Sequence, residues 1–135
     1  MNQADMKDRT KQFSLRVIRL VNALPKTVEG KAISGQLVRS GMSVGANYRA
    51  VCRSRSKMEF LSKLGTVEEE ANESAYWMEL IIETGRTRTK WNLFYERLTK
   101  LRRLLPLQRK RSNRLLIENP TSKIGDIKNG IKALV

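Results

Sequence analysis

Glu69 and Glu73, and Glu79 and Glu83, stand four residues apart, the spacing that puts two carboxylates on one face of a helix. Such pairs are the only arrangement in the chain with the makings of a metal site or an acid/base couple. What normally completes such a site is missing. The 135-residue chain has no histidine and one cysteine, Cys52. That removes the usual general base, the Ser-His and Cys-His nucleophile pairs and nearly every zinc site. It also removes the Glu-x-x-His ligands of di-iron bundles. The six acidic residues between Thr66 and Gly85, with no basic residue among them, are better read as a charged helix face beside basic neighbours. No glycine-rich loop lies between a strand and a helix to cradle phosphate. No metal, no cofactor and no enzymatic activity are expected.

The chemistry the sequence does offer is that of fixed positive charge. Lys and Arg number 27 against 13 Asp and Glu, a net charge of +14. A polyanion is the commonest partner of such an excess. The candidate phosphate-binding residues fall into three groups: Arg49, Arg53, Arg55 and Lys57; Arg86, Arg88 and Lys90; and Arg102, Arg103, Arg109, Lys110, Arg111 and Arg114. Few aromatic residues accompany them, and Trp91, Phe94 and Tyr95 read as core or interface. Contact with phosphates should therefore outweigh base readout. Arg39 is set apart as a buried partner for a carboxylate such as Glu73. A membrane surface fits less well, because no segment joins a basic face to a strongly apolar, aromatic-rich one. A scaffold that binds a protein partner, with charge serving solubility, is the competing class.

The elements that must position these residues are helical. Asp8 is a candidate N-cap, and Phe13, Val17, Ile18, Val21 and Leu24 share one face before Pro25. A second helix from Val28 carries Ile33, Leu37, Val44, Tyr48 and Val51, with Gly41 and Gly45 in its middle. Those glycines mark either a turn or a close approach by another helix. Ser56 and Glu59 have capping-box spacing, the carboxylate being able to reach back to the Ser56 amide. Phe60, Leu64, Val67, Ala71, Ser74, Met78 and Ile81 then follow a 4-3 alternation up to Gly85. Trp91, Phe94, Leu98, Leu101 and Leu105 repeat the spacing until Pro106. Strand signals are absent. The fold class predicted is all-α, an antiparallel up-down four-helix bundle over residues 1–116. Its fourth helix is atypical and frayed after Pro106, and residues 117–135 form a basic, loosely held tail.

The glycines allow a second reading. "SGMSVGANYRAV" is similar to the turn and recognition helix of tetracycline-repressor-type regulators, in which Asn47 and Arg49 would meet base edges. With Gly41 as the turn glycine, however, Gln36 falls where that pattern has an aliphatic residue. Leu37 falls where it has a small one.

A longer stretch, residues 35–85, resembles the four-helix bundle family of 23S rRNA intervening-sequence proteins. The residues that carry the resemblance are Gln36, Leu37, Arg39, Ser43, Val44, Ala46, Asn47, Arg53, Ser56, Glu59, Phe60 and Glu73, with "NALPKTVEG" typical of the lead-in. The resemblance implies a bundle that assembles into a ring-shaped homopentamer and has no established enzymatic activity. A related branch, the accessory variability protein of diversity-generating retroelements, implies association with nucleic acid (rRNA or DNA) and a possible reverse transcriptase partner. The departure lies at "LRRLLPLQRKRSNR", where such proteins usually close with a helix rich in Ala, Ile and acids. The polar N-terminus and lone cysteine make the cytoplasm the expected location.

Overall fold

The computed structural model describes residues 2–84, 88–118, 121 and 123–125. Four helices follow one another: α1 (Gln3–Val21), α2 (Val28–Cys52), α3 (Lys57–Glu83) and α4 (Arg88–Glu118). Packing is extensive between α1 and α2, α2 and α3, and α3 and α4, and sparse between α1 and α4. The short connections force each helix to run antiparallel to its predecessor, so the arrangement is an up-down four-helix bundle.

Helix α1 begins five residues before the Asp8 expected from its sequence. Asn2 accepts the Asp5 amide at 2.9 Å while the Asp5 carboxylate accepts the Asn2 amide at 2.9 Å. This reciprocal cap ties down the first turn. The earlier start has a packing reason, since Met6 and Thr10 extend the buried stripe of Phe13 and Val17 by two turns. Thr10 is hidden by the bond from its hydroxyl to the Met6 carbonyl (2.8 Å). Ile18, expected on the buried face, is 38% exposed.

Helix α2 starts at Val28 as its sequence indicates, with Thr27 accepting the Gly30 amide at 3.1 Å. It then runs unbroken through Gly41 and Gly45. A helix-turn-helix needs a turn at Gly41, so that reading fails. The glycines instead admit α1. A Cβ on Gly41 would stand 2.7 Å from a Val17 methyl, and one on Gly45 would stand 3.3 Å from the Thr10 carbonyl. The Ser14 hydroxyl, 2.9 Å from the Gly41 carbonyl, fastens the crossing. On the opposite side of α2, Ser40 and Ser74 meet in the interior with their hydroxyls 2.9 Å apart.

Helix α3 buries every residue of its expected stripe, from Phe60 to Ile81. Its cap differs in one detail. Ser56 accepts the Glu59 amide at 3.1 Å, but the Glu59 carboxylate reaches past Ser56 to the Arg55 amide at 2.7 Å. Lys63, 2.5 Å away, and then the Arg55 amide hold the Glu59 carboxyl below its ordinary range.

Helix α4, expected to fray after Pro106, carries the proline in its interior. A proline inside a helix forfeits one backbone bond and crowds the preceding turn, at a cost of about 3 kcal/mol. Here the ring is on the exposed face and the helix continues to Glu118. The buried series Phe94, Leu98, Leu101 and Leu105 passes on to Gln108 and Ser112 with the spacing unbroken. Gln108 is buried beside the Tyr48 phenol, and Ser112 returns its hydroxyl to the Gln108 carbonyl at 2.9 Å. The core thus changes from apolar to polar across Pro106 while the helix does not stop. Phe13 and Phe94, stacked with ring centres 5.5 Å apart, are the main link from α1 to α4. Gly85 and the side chain of Trp91 lie outside the described residues.

The two helical glycines with opposite surroundings make a test. Gly41→Ala should destabilise the fold by about 1–3 kcal/mol, as overpacking does. Gly35→Ala, where a Cβ meets nothing within 4 Å, should stabilise it by about 1 kcal/mol through helix propensity. Thermal melts of the two variants beside the parent would show shifts of opposite sign.

Candidate nucleic-acid interface

The antiparallel order brings together two cationic groups that are far apart in sequence. The α2–α3 corner presents Arg49 on the last turn of α2, Arg53 at its C-cap and Arg55 in the connection, all exposed, with Lys57 half-buried beside them. The second half of α4 runs along the first half of α3, and the Arg109 guanidinium passes 3.8 Å from the Cβ position of Gly65. Lys110, Arg111 and Arg114 therefore arrive at the same end of the bundle as the corner residues. Arg86 lies outside the described residues, as do the side chains of Arg88 and Lys90 in the first turn of α4 at the opposite end.

Not all of these cations are equally available. The Arg102 Nε donates to the Asn72 side-chain amide oxygen at 2.8 Å. Arg109 pairs with Glu68 at 3.4 Å, and Arg114 with Glu118 at 3.2 Å along its own helix. The inner flank of α4 is thus used to hold α4 against acidic α3. Arg103 and Lys110 point to solvent with the corner arginines. Surface ion pairs contribute little each, about 0–1 kcal/mol, so a phosphate can compete for the paired arginines as well.

Arg39 pairs with Glu73 as anticipated, but at the surface: its side chain is 51% exposed. Its second nitrogen is 3.5 Å from Glu70, and its Nε donates to Gln36 at 3.4 Å. The Glu73 carboxylate also accepts the Trp77 indole N–H at 3.1 Å. Arg39, and then the indole, hold the Glu73 carboxyl below its ordinary range. Partial burial pushes that of Glu70 upward despite Arg39. The residues singled out as a motif are accordingly structural in position. Gln36, Arg39 and Glu73 clamp α2 to α3, the Ser43 hydroxyl donates to the Arg39 carbonyl at 2.8 Å, and Asn47 is half-buried on α2. Ser56 and Glu59 cap α3, and Phe60 is core.

The carboxylate pairs have other occupations. Glu73 is taken by Arg39 and Trp77, and Glu79 accepts the Tyr95 hydroxyl at 2.5 Å. Among the described residues no three metal-ligating side chains converge. No helix among them is long and apolar enough to cross a membrane. Tyr76 is 52% exposed, packed edge-on to Trp77, but it stands among the α3 carboxylates, where phosphate is repelled.

A further set of cations went unnoticed in the sequence. Arg9, Arg16 and Arg19 on α1 face Arg97 and Lys100 on α4 along the sparsely packed seam, lining two adjoining cavities of about 260 and 370 Å³. Their signal was available, since Arg9 and Arg16 are seven residues apart and flank the buried stripe of α1. Only the pairing of α1 with α4 gives that spacing a meaning.

Replacing Glu73 by Gln should lower the melting temperature at neutral pH. The folded carboxyl titrates below its unfolded value, near 4.3. Its contribution is therefore fully present above that pH and is lost as pH falls toward the folded value. Melting curves of parent and Glu73→Gln should converge between pH 4 and acid unfolding, and a constant gap would contradict this account.

The family described as 23S rRNA-intervening sequence protein matches residues 2–106 of this chain, ending at the proline where the α4 core turns polar. A crystal structure of a protein of unknown function from the S23 ribosomal protein family of Bacteroides thetaiotaomicron is 34% identical. It superposes with a TM-score of 0.72 over 82% of this chain and 99% of its own. No curated protein matches the chain. With this helix order, and a match that spans α1 to α3 and more than half of α4, the chain belongs to the 23S rRNA-intervening sequence protein family.

Proposed function

We propose that this protein is a non-enzymatic nucleic-acid-binding bundle of the cytoplasm that grips phosphates through its basic end, with little regard to sequence. The observation that carries this reading is the convergence of Arg49, Arg53 and Arg55 with Lys110, Arg111 and Arg114 at one end of the bundle. Glu68 of α3 offsets Arg109 on the flank of α4, while Arg49, Arg53 and Arg55 stand exposed at the end. Guanidinium groups on exposed helix ends suit phosphate oxygens, which they can take in a bidentate manner. Base readout has little support, because the exposed aromatic Tyr76 lies on acidic α3. Among the described residues, neither an exposed stacking surface nor a helix free to enter a groove accompanies the arginines. Self-association would repeat the basic end and raise affinity for a long polyanion by multivalency.

Fluorescence anisotropy with ribosomal RNA, duplex DNA and a scrambled RNA should give similar affinities that fall steeply with salt. The Arg53→Ala/Arg55→Ala/Lys110→Ala variant should weaken all three probes alike. It should also flatten the log–log salt dependence by roughly one unit per lost contact. Affinity absent at low salt, or unchanged by the triple substitution, would remove the proposal.

A further inference from the structure

Between Glu96 and Glu118, helix α4 carries eight Lys and Arg and no acid. Arg102 and Arg109 turn to α3, where they meet Asn72 and Glu68, and Arg114 pairs with Glu118. The other five, Arg97, Lys100, Arg103, Lys110 and Arg111, form no ion pair among the described residues. Arg97, Lys100, Arg103, Lys110 and Arg114 follow at intervals of three, three, seven and four, which keeps them along one strip of the helix surface. Lys110 and Arg114 close this strip at the basic end of the bundle. Arg97 and Lys100 open it in the α1–α4 seam, opposite Arg9 and Arg16 of α1.

Charge is what the seam has to offer a partner. Its floor is already covered, since Phe13 and Phe94 are each 4% exposed and Leu101 is 6% exposed. Leu93, 55% exposed, stands at the far end, away from the basic corner. Asp8 is the one acid lining the two seam cavities, against five cations. Arg9, Arg16 and Arg19 join no ion pair among the described residues either. An apolar ridge from a protein would find little surface to bury here. A phosphate backbone would meet a counter-charge on both walls, and guanidinium groups suit its oxygens.

We infer that the seam continues the phosphate-binding surface of the basic end. A nucleic-acid backbone held at that end runs along α4 into the seam, where Arg9, Arg16 and Arg19 meet its phosphates from one wall and Arg97 and Lys100 from the other. This rests on the phosphate-binding reading of the basic end, and it gives that site a direction and a length. From Arg97 to Arg114 the track is about 26 Å long at the rise of a helix. One strand of a duplex spaces its phosphates about 3.4 Å apart along the axis, so the track spans about eight base pairs. Lys110 to Arg114 alone spans about two.

Probe length tests the track. Anisotropy would use hairpin duplexes with stems of about four and about sixteen base pairs, shorter and longer than the track. Full-length Arg16→Gln/Arg97→Gln, with helix content confirmed by circular dichroism, should bind the long stem about tenfold more weakly than the parent. Its log–log salt slope should flatten by roughly two units, and its affinity for the short stem should change by less than about twofold. Arg16→Lys/Arg97→Lys should stay close to the parent, because a point charge still meets a phosphate. Acetylation read by mass spectrometry adds a local signal. Lys100 should react in the free protein and be protected by the long stem, whereas Lys110 should be protected by both stems. Should the Gln pair lose helix content, Lys100 protection in the parent decides. A Gln pair equal to the parent on the long stem, or weakened equally on both stems, would overturn the track and leave the basic end standing. A Lys100 unreactive in the protein alone, or protected by an acidic helical peptide and not by the long stem, would assign the seam to protein and overturn it too. Absence of binding to either stem at low salt would remove this inference together with the function proposed above.

Discussion

The close approach of α1 to α2 governs the remaining geometry. Val17 and Ser14 press onto backbone at Gly41 and Gly45, where no side chain fits between the helices. That contact sets how deeply α1 sits and leaves α4 to reach it mainly through the Phe13–Phe94 stack. Small residues act in the same way on the other face of α2, where Ser40 and Ser74 meet. Helix α2 is therefore the spine of the bundle, tight against α1 and α3, while the α1–α4 seam receives what space remains. The seam's openness follows from tightness elsewhere.

Electrostatics is layered over this packing. Acidic α3 is flanked by cations from both neighbours: Arg39 from α2, and Arg102 and Arg109 from α4. Part of the net charge is thereby consumed in joining helices. The remainder collects away from the acidic stretch of α3, at the α2–α3 corner with the end of α4, and along the seam with α1. The same helix that engages Glu68, Glu70 and Glu73 with these cations decides which arginines are left for a partner.

Much of this was legible in the sequence, because periodicity depends only on local spacing. The stripe of α3, the start of α2 at Val28 and the pairing of Arg39 with Glu73 follow from residue types and intervals. The misreadings share another cause. Asp8 looked like a cap because Thr10 looks polar, and only its bond to the Met6 carbonyl makes it a core residue. The residues beyond Pro106 read as frayed because Gln108 and Ser112 do not announce burial. The cation sets were seen singly because their union depends on which helix ends meet. Tertiary neighbours, absent from a single chain's local pattern, decide such cases.

Pro106 has a consequence for how the molecule comes apart. On its N-terminal side α4 is held by leucines and a phenylalanine, and on its C-terminal side by Gln108 and Ser112. The Oε1 atoms of Gln108 and Glu68 are buried without a hydrogen-bond partner among the described residues. Each turn beyond the proline thus removes less apolar surface from water, and the missing amide interrupts the backbone ladder where the two halves join. Helix α4 is a continuous rod in shape but two segments in cooperativity. The outer segment opens at a lower free energy than the bundle it caps. Because Lys110, Arg111 and Arg114 ride on that segment, a polyanion that engages them also welds it shut. Occupancy of the basic end and order in the last three turns of α4 are then one equilibrium.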